Sequence, residues 1–155
     1  MIEIERKFLL TSEAFKQVAE NSTHIIQGYL NADPNRTVRV RITDKKGFLT
    51  IKGKSNETGI SRFEWEKEID FSEAKELIKL CEKEVIEKIR YEITSGTHII
   101  EVDEFFGNNE GLLLAEIELN DENESFLKPD WIGKEVTGDP RYYNSFISKN
   151  PYTLW

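Results

Sequence analysis

A two-residue period written in formal charge constrains this chain more than any other feature. Segments 2–8, 27–31, 37–43, 48–54, 61–71, 87–94, 98–105 and 112–119 all alternate, and in most of them apolar side chains take turns with Lys, Arg, Glu or Asp. Side chains at i and i+2 of a strand share a face, so each segment reads as a strand with one apolar and one polar row. Glu3, Glu5 and Lys7 oppose Ile2, Ile4 and Phe8, with Arg6 the exception. Arg39 and Arg41 oppose Val38, Val40 and Ile42, while Lys52 and Lys54 oppose Leu49 and Ile51. Arg62, Glu64, Glu66 and Glu68 oppose Phe63, Trp65 and Ile69, and Lys88, Arg90 and Glu92 oppose Ile89, Tyr91 and Ile93. Glu101 and Asp103 lie against Ile100 and Val102; Glu116 and Glu118 lie against Ile117 and Leu119. Eight strands suffice for a small closed barrel.

Turn-forming residues at 32–35, 44–47, 95–96 and 107–109 separate the strands and favour antiparallel hairpins. Short amphipathic stretches fall between them. Ser72 reads as the N-cap of a helix carrying Ala74, Leu77, Ile78 and a buried Cys81, and Ser12 precedes a similar set of Phe15, Val18 and Ala19. Residues 120–128, ended by Pro129, and 141–149, ended by Pro151, are two further helix candidates. The expected class is α+β, a single domain over 1–155 with no linker or repeat.

One charged row alone would be the solvated face of an ordinary sheet. Taken together the rows hold eight basic and ten acidic residues with few neutral polar ones, and the helices need an apolar sheet face to cover. Apolar rows outward under helices and charged rows inward around a wet tunnel meet both requirements. Buried charge of either sign costs several kcal/mol unless partnered. A polyanion held by Lys and Arg, with cations held by Glu and Asp, would partner both sets. That is a metal–phosphate complex.

The order of the motifs then becomes recognisable. Glu3-x-Glu5-x-Lys7, Gln27-Gly28-Tyr29-Leu30, Arg39-x-Arg41, Thr50-x-Lys52, Arg62-x-Glu64-x-Glu66, Lys88-x-Arg90, Asp103 and Glu116-x-Glu118 resemble the CYTH superfamily, the triphosphate tunnel metalloenzymes, in its short bacterial form. The resemblance implies an eight-stranded antiparallel tunnel with a charged interior, helices packed outside, and Mg²⁺ or Mn²⁺ as cofactor. It implies hydrolysis of a triphosphate, with inorganic tripolyphosphate favoured because no pocket for an organic group is evident. The alternatives are a class IV adenylate cyclase, a nucleoside or thiamine triphosphatase, and a non-catalytic polyphosphate-binding module.

Roles follow from chemistry. Glu3, Glu5, Glu116 and Glu118 are expected to hold the metal, with Asp103 as a fifth ligand and Glu64 and Glu66 supporting from behind. Lys7, Arg39, Arg41, Lys52, Arg62, Lys88 and Arg90 are expected to grip phosphate oxygens. Tyr29 is the candidate for moving a proton, and Lys52 joins it at the reacting centre. Aromatic residues from Trp131 to Trp155 would pack the last helix or close a tunnel mouth. The net charge of −8 argues against a nucleic-acid partner. The lone Cys81 forms no internal disulfide, and no apolar run approaches the ~20 residues that span a bilayer. His24 and His98 lack zinc-like partners. A soluble cytoplasmic protein without a membrane partner is expected.

Overall fold

The structure, a computed structural model, describes residues 1–82 and 84–155. Its strands are β1 (Ile2–Leu10), β2 (Asn21–Asn31), β3 (Arg36–Thr43), β4 (Lys46–Gly53), β5 (Ser61–Ile69), β6 (Ile86–Ser95), β7 (His98–Phe105), β8 (Leu113–Glu118) and β9 (Ile132–Glu135). Three helices accompany them: α1 (Phe15–Val18), α2 (Phe71–Ile78) and α3 (Asn144–Ile147). The sheet order is β5-β4-β3-β2-β6-β7-β8-β1-β9, and β5 also pairs with β1. That last pairing, Ile2 opposite Phe63 and Glu3 opposite Arg62, closes β1 to β8 into an eight-stranded antiparallel barrel. β9 is a ninth strand that the alternation did not announce. It is short, and it lies beside the end of β1, with Phe8 opposite Glu135.

The alternating rows sort as a tunnel requires. On the outer face, Phe8, Ile93, Ile100, Val102, Ala115 and Ile117 form an apolar cluster with Phe15 from α1 and with Trp131. Burying Phe15 completely contributes roughly 1.5–3 kcal/mol. Arg6 also faces outward, paired with Glu135 at 2.7 Å and lying over the rings of Phe8 and Phe126. α2 covers the opposite flank. It comes so near the sheet that a Cβ on Gly47 would stand 2.4 Å from Cβ of Ala74, and just past its end Cys81 would stand 2.8 Å from a Cβ on Gly28.

Several boundaries differ from expectation, each for a local reason. β2 starts at Asn21 rather than 27 because Asn21 to Gln27 pair with β6. The strand expected over 61–71 ends at Ile69, and α2 begins at Phe71, so Asp70 rather than Ser72 holds the cap position. Cys81 lies beyond α2, half-buried rather than buried, with Sγ near the carbonyl of Leu77. Residues 120–128 form no helix. Asp121 accepts from the backbone N–H of Asn123, and Glu124 accepts from that of Asn120, and these local bonds displace the helical ladder. The stretch 141–149 splits into a 3₁₀ turn at Pro140–Tyr142 and α3, because Tyr143 is extended.

α3 also departs from the expectation that helices pack outside. Ile86, Phe105 and Leu114 share the inward rows of Lys88, Asp103 and Glu116, and they pack with Tyr142 and Ile147. The C-terminal segment therefore fills part of the barrel interior. No helix among the described residues is long and apolar enough to cross a membrane.

Candidate active site

The barrel encloses a cavity of about 200 Å³. Its charged lining comprises Lys7, Arg39, Arg41, Lys52, Arg62, Lys88 and Arg90 against Glu3, Glu5, Glu64, Glu66, Glu101, Glu116 and Glu118. Tyr29, Thr37, Thr50, Tyr143, Asn144 and Ser145 complete the wall. Every basic residue expected at the site reaches it. Lys54, Glu68 and Glu92 of the same rows do not line it.

Many of these charges are already matched. Nζ of Lys52 donates to both oxygens of Glu3 at 2.9 and 3.0 Å and lies 3.3 Å from Glu64. Arg62 lies 3.4 Å from Glu3. Burial pushes the Glu3 carboxyl up, but Lys52 and Arg62 override it and hold the group at about 2. Arg39 donates to Thr50 at 3.2 Å and reaches Glu66 at 3.5 Å, while Thr50 donates to Glu66. Glu64 and Glu66 thus steady cations.

Asp103 takes a different place from the one expected of a metal ligand. It is fully buried and does not line the cavity. Lys88 donates to it at 2.8 Å, and Arg90 donates to both of its oxygens at 2.8 and 2.9 Å. Burial alone would raise this carboxyl, yet Arg90 and Lys88 hold it at about 2. The next residue of its row, Glu101, does line the cavity and lies 3.3 Å from Arg90. Burial raises its carboxyl. The alternation marked Glu101 as inward without giving it a part.

The unmatched charges are more informative. Among the described residues neither Arg41 nor Lys7 has a carboxylate within 4.0 Å, and neither Glu5 nor Glu118 has a cation within that distance. Arg41 donates to the Gln27 carbonyl oxygen at 3.1 and 3.2 Å, and Lys7 to the backbone carbonyl of Tyr142 at 3.1 Å. Burial and the neighbouring Arg39 and Arg90 lower the Arg41 guanidinium to about 9. Burial lowers Lys88 to about 7, with Arg90 and Arg41 adding to the effect against Asp103. Nε of Arg39 is buried with no hydrogen-bond partner.

The acidic wall mirrors this. Burial, then repulsion from Glu116 and Glu3, raises the Glu5 carboxyl well above its ordinary value. Glu118, opposite Glu5 in the β1–β8 ladder, is raised by burial and Glu3. Burial also pushes Glu116 up, but Lys7, Arg90 and Lys88 hold it well below the carboxylate range. Burial and mutual repulsion thus favour the protonated form of Glu5 and Glu118 over their ordinary behaviour. The donor set is all hard oxygen, which suits a divalent cation. Among the described residues no three acidic, His or Cys side chains converge into a ready cage.

Tyr29 lines the wall and packs in the inner apolar cluster with Ile86 and Phe105. The residues that alternation missed come from outside the strands. Tyr143 has Lys7 and Arg62 over its ring at 5.6 and 5.7 Å, and Asn144 and Ser145 follow it. Pro34, Thr37, Lys54, Ser55, Arg62, Tyr143 and Ser145 line a side cavity of about 170 Å³, space of a kind the sequence did not suggest. His24 pairs with Glu87 and His98 with Glu124, away from the tunnel.

A closed antiparallel tunnel whose one cavity is lined by both spare cations and spare carboxylates has the chemistry to suit a small polyanion carried with cations. The CYTH domain model matches residues 1–143, and the chain belongs to the CYTH family. It is 56% identical to an inorganic triphosphatase of Acetivibrio thermocellus over 97% of this chain and 95% of that protein. It is 34% identical to an inorganic triphosphatase of Nitrosomonas europaea over 96% and 97% of the two chains. The crystal structure of an inorganic triphosphatase superposes with a TM-score of 0.66 at 32% identity, covering 94% of this chain and 93% of the other.

Proposed function

We propose that the protein is a metal-dependent triphosphatase, converting inorganic tripolyphosphate and water into pyrophosphate and phosphate with Mg²⁺ or Mn²⁺. The observation that carries this reading is the division of unmatched charge within one cavity, Lys7 and Arg41 on one side of the balance and Glu5 and Glu118 on the other. A polyanion satisfies the first set and a cation the second. The kinship with two inorganic triphosphatases along nearly the whole chain supports it.

In this reading Lys7, Arg39, Arg41, Lys52, Arg62, Lys88 and Arg90 bind phosphate oxygens, the idle Nε of Arg39 included. Glu3, Glu5, Glu116 and Glu118 would hold the cation. A bound Mg²⁺ or Mn²⁺ supplies charge neutralisation and a water of lowered pKa. Asp103 aims Lys88 and Arg90, while Glu64 and Glu66 steady Lys52 and Arg39. Fixed guanidinium and ammonium groups stabilise charge on the transferred phosphoryl group without reorganising, so no side-chain nucleophile is needed. In this reading Lys52 takes that task, and Tyr29 handles a proton of the attacking water.

The test is phosphate release from tripolyphosphate, ATP, thiamine triphosphate and pyrophosphate, each with Mg²⁺, Mn²⁺ or chelator. Tripolyphosphate should be turned over fastest, pyrophosphate poorly because it is one phosphoryl unit short, and none of them under chelator. The side cavity favours one second reading, a nucleoside triphosphatase whose base rests beside Tyr143. Faster turnover of ATP than of tripolyphosphate would establish that reading, and cyclic AMP as the main product would make the protein a cyclase.

A further inference from the structure

One hydrogen-bond chain in the tunnel wall has its direction set at both ends. Lysine and arginine can only donate. Nζ of Lys88 donates to Oδ1 of Asn144 at 2.9 Å, and Nε2 of Gln27 donates to the same oxygen at 2.8 Å. With its amide nitrogen so engaged, Gln27 turns Oε1 toward Arg41, whose Nε and Nη2 donate to it at 3.2 and 3.1 Å. Reversing either amide would set donor against donor, so each has one orientation compatible with its neighbours.

The residue types matter as much as the geometry. Asp103 holds Lys88 and Arg90, and Glu3 holds Lys52, by carboxylates that cancel charge as they orient. Gln27 and Asn144 orient Arg41 and Lys88 with neutral oxygens and cancel nothing. Gln27 is 0% exposed, so water cannot take over its part. Asn144 is the first residue of α3, one position beyond the family match, and it joins the C-terminal segment to the phosphate-binding wall.

We propose that Gln27 and Asn144 are positioning residues, a pair of neutral amides that fix Arg41 and, together with Asp103, Lys88 while adding no negative charge to the wall that meets the anion. This rests on the reading of the tunnel as a triphosphate site. Asn144→Asp is the discriminating variant. It keeps the shape and can accept from both Gln27 and Lys88, but it adds a negative charge beside Lys88.

Tripolyphosphate binding is measured by calorimetry in metal-free buffer, turnover with Mg²⁺, and Tm for each variant. Asn144→Asp should raise Kd and KM about tenfold or more, change kcat less than threefold and leave Tm unlowered. Gln27→Ala and Asn144→Ala should each raise KM, and the double variant should exceed the worse single one by less than twofold, since both cut the same chain. Wild-type Kd and KM in Asn144→Asp would reduce the residue to packing and overturn the proposal, as would single effects that multiply. Wild-type protein that neither binds nor hydrolyses tripolyphosphate would overturn the triphosphate reading and this inference together. An active wild type with unaffected variants would sink the inference alone.

Discussion

At the scale of single residues, the tunnel is informative because its charges are incompletely matched. Arg41 is held by an amide and, among the described residues, has no carboxylate within 4.0 Å. Arg41→Ala should therefore lose roughly 1.5–3 kcal/mol of phosphate binding, the range for a charge-assisted contact. Read in kcat/KM, that is a fall of about 10- to 150-fold. A fall below threefold would remove Arg41 from the site. Glu5 presents the opposite case. Burial and its acidic neighbours already favour its protonated form, so Glu5→Gln copies that form and the fold should tolerate it. In the proposed reading what it loses is affinity for the cation. In Glu5→Gln and in Glu118→Gln, the Mg²⁺ concentration for half-maximal activity should rise severalfold, with Tm in metal-free buffer within a few degrees of wild type. Unchanged metal titrations in both variants would take these carboxylates out of the metal site.

At the scale of elements, alternation was legible wherever a strand separates two environments. β3 shows this most clearly, since Arg39 and Arg41 line the cavity while Val40 is fully buried on the other face. The same signal could not show which members of a row reach the cavity. Asp103 and Glu101 are two residues apart on one face of β7, yet Lys88 and Arg90 together bury Asp103, while Glu101 takes one 3.3 Å bond from Arg90 and still lines the cavity. Asn144 was illegible for another reason, since α3 has four residues and no period to read. The contact of α2 with the barrel was equally silent, because a glycine carries no apolar signal. Gly47 is where that contact is closest. Gly47→Ala would set a methyl group 2.4 Å from Cβ of Ala74, so α2 or β4 must shift. The expected cost is about 1–3 kcal/mol, the usual range for overpacking. Denaturant unfolding reads it as a lower midpoint, and KM should stay near wild type because α2 lies outside the tunnel. An unchanged midpoint would mean that the helix packs more loosely than the distance implies.

At the scale of the whole molecule, tunnel-row carboxylates of two kinds pull the acid stability in opposite directions. Glu5, Glu64, Glu101 and Glu118 have folded values raised above the ordinary 4.5. The folded state binds their protons more readily than the unfolded chain, so their contribution is fully present below the unfolded value and is lost as pH rises through the folded one. Glu3 and Asp103 are held at about 2, and Glu116 is also lowered. Their contribution is present above the unfolded values near 4 and is lost as pH falls toward 2. Without metal, stability should therefore rise as pH is lowered on the acid side of the Lys88 value of about 7, pass a maximum near the ordinary carboxylate range, and fall steeply below about pH 4. In the proposed reading a bound divalent cation acts mainly on the first part, because Glu5 and Glu118 would have to give up protons to hold it, whereas Glu3 and Glu116 are already held low. Urea unfolding free energies measured between pH 3 and 8 should show the maximum moving toward neutral pH when Mg²⁺ is added. In Glu5→Gln that displacement should shrink, while the steep acid limb set by Glu3 and Asp103 remains. A metal-free profile that falls monotonically from pH 7 to 3, or one that Mg²⁺ leaves in place, would show that the raised carboxylates do not wait for a cation.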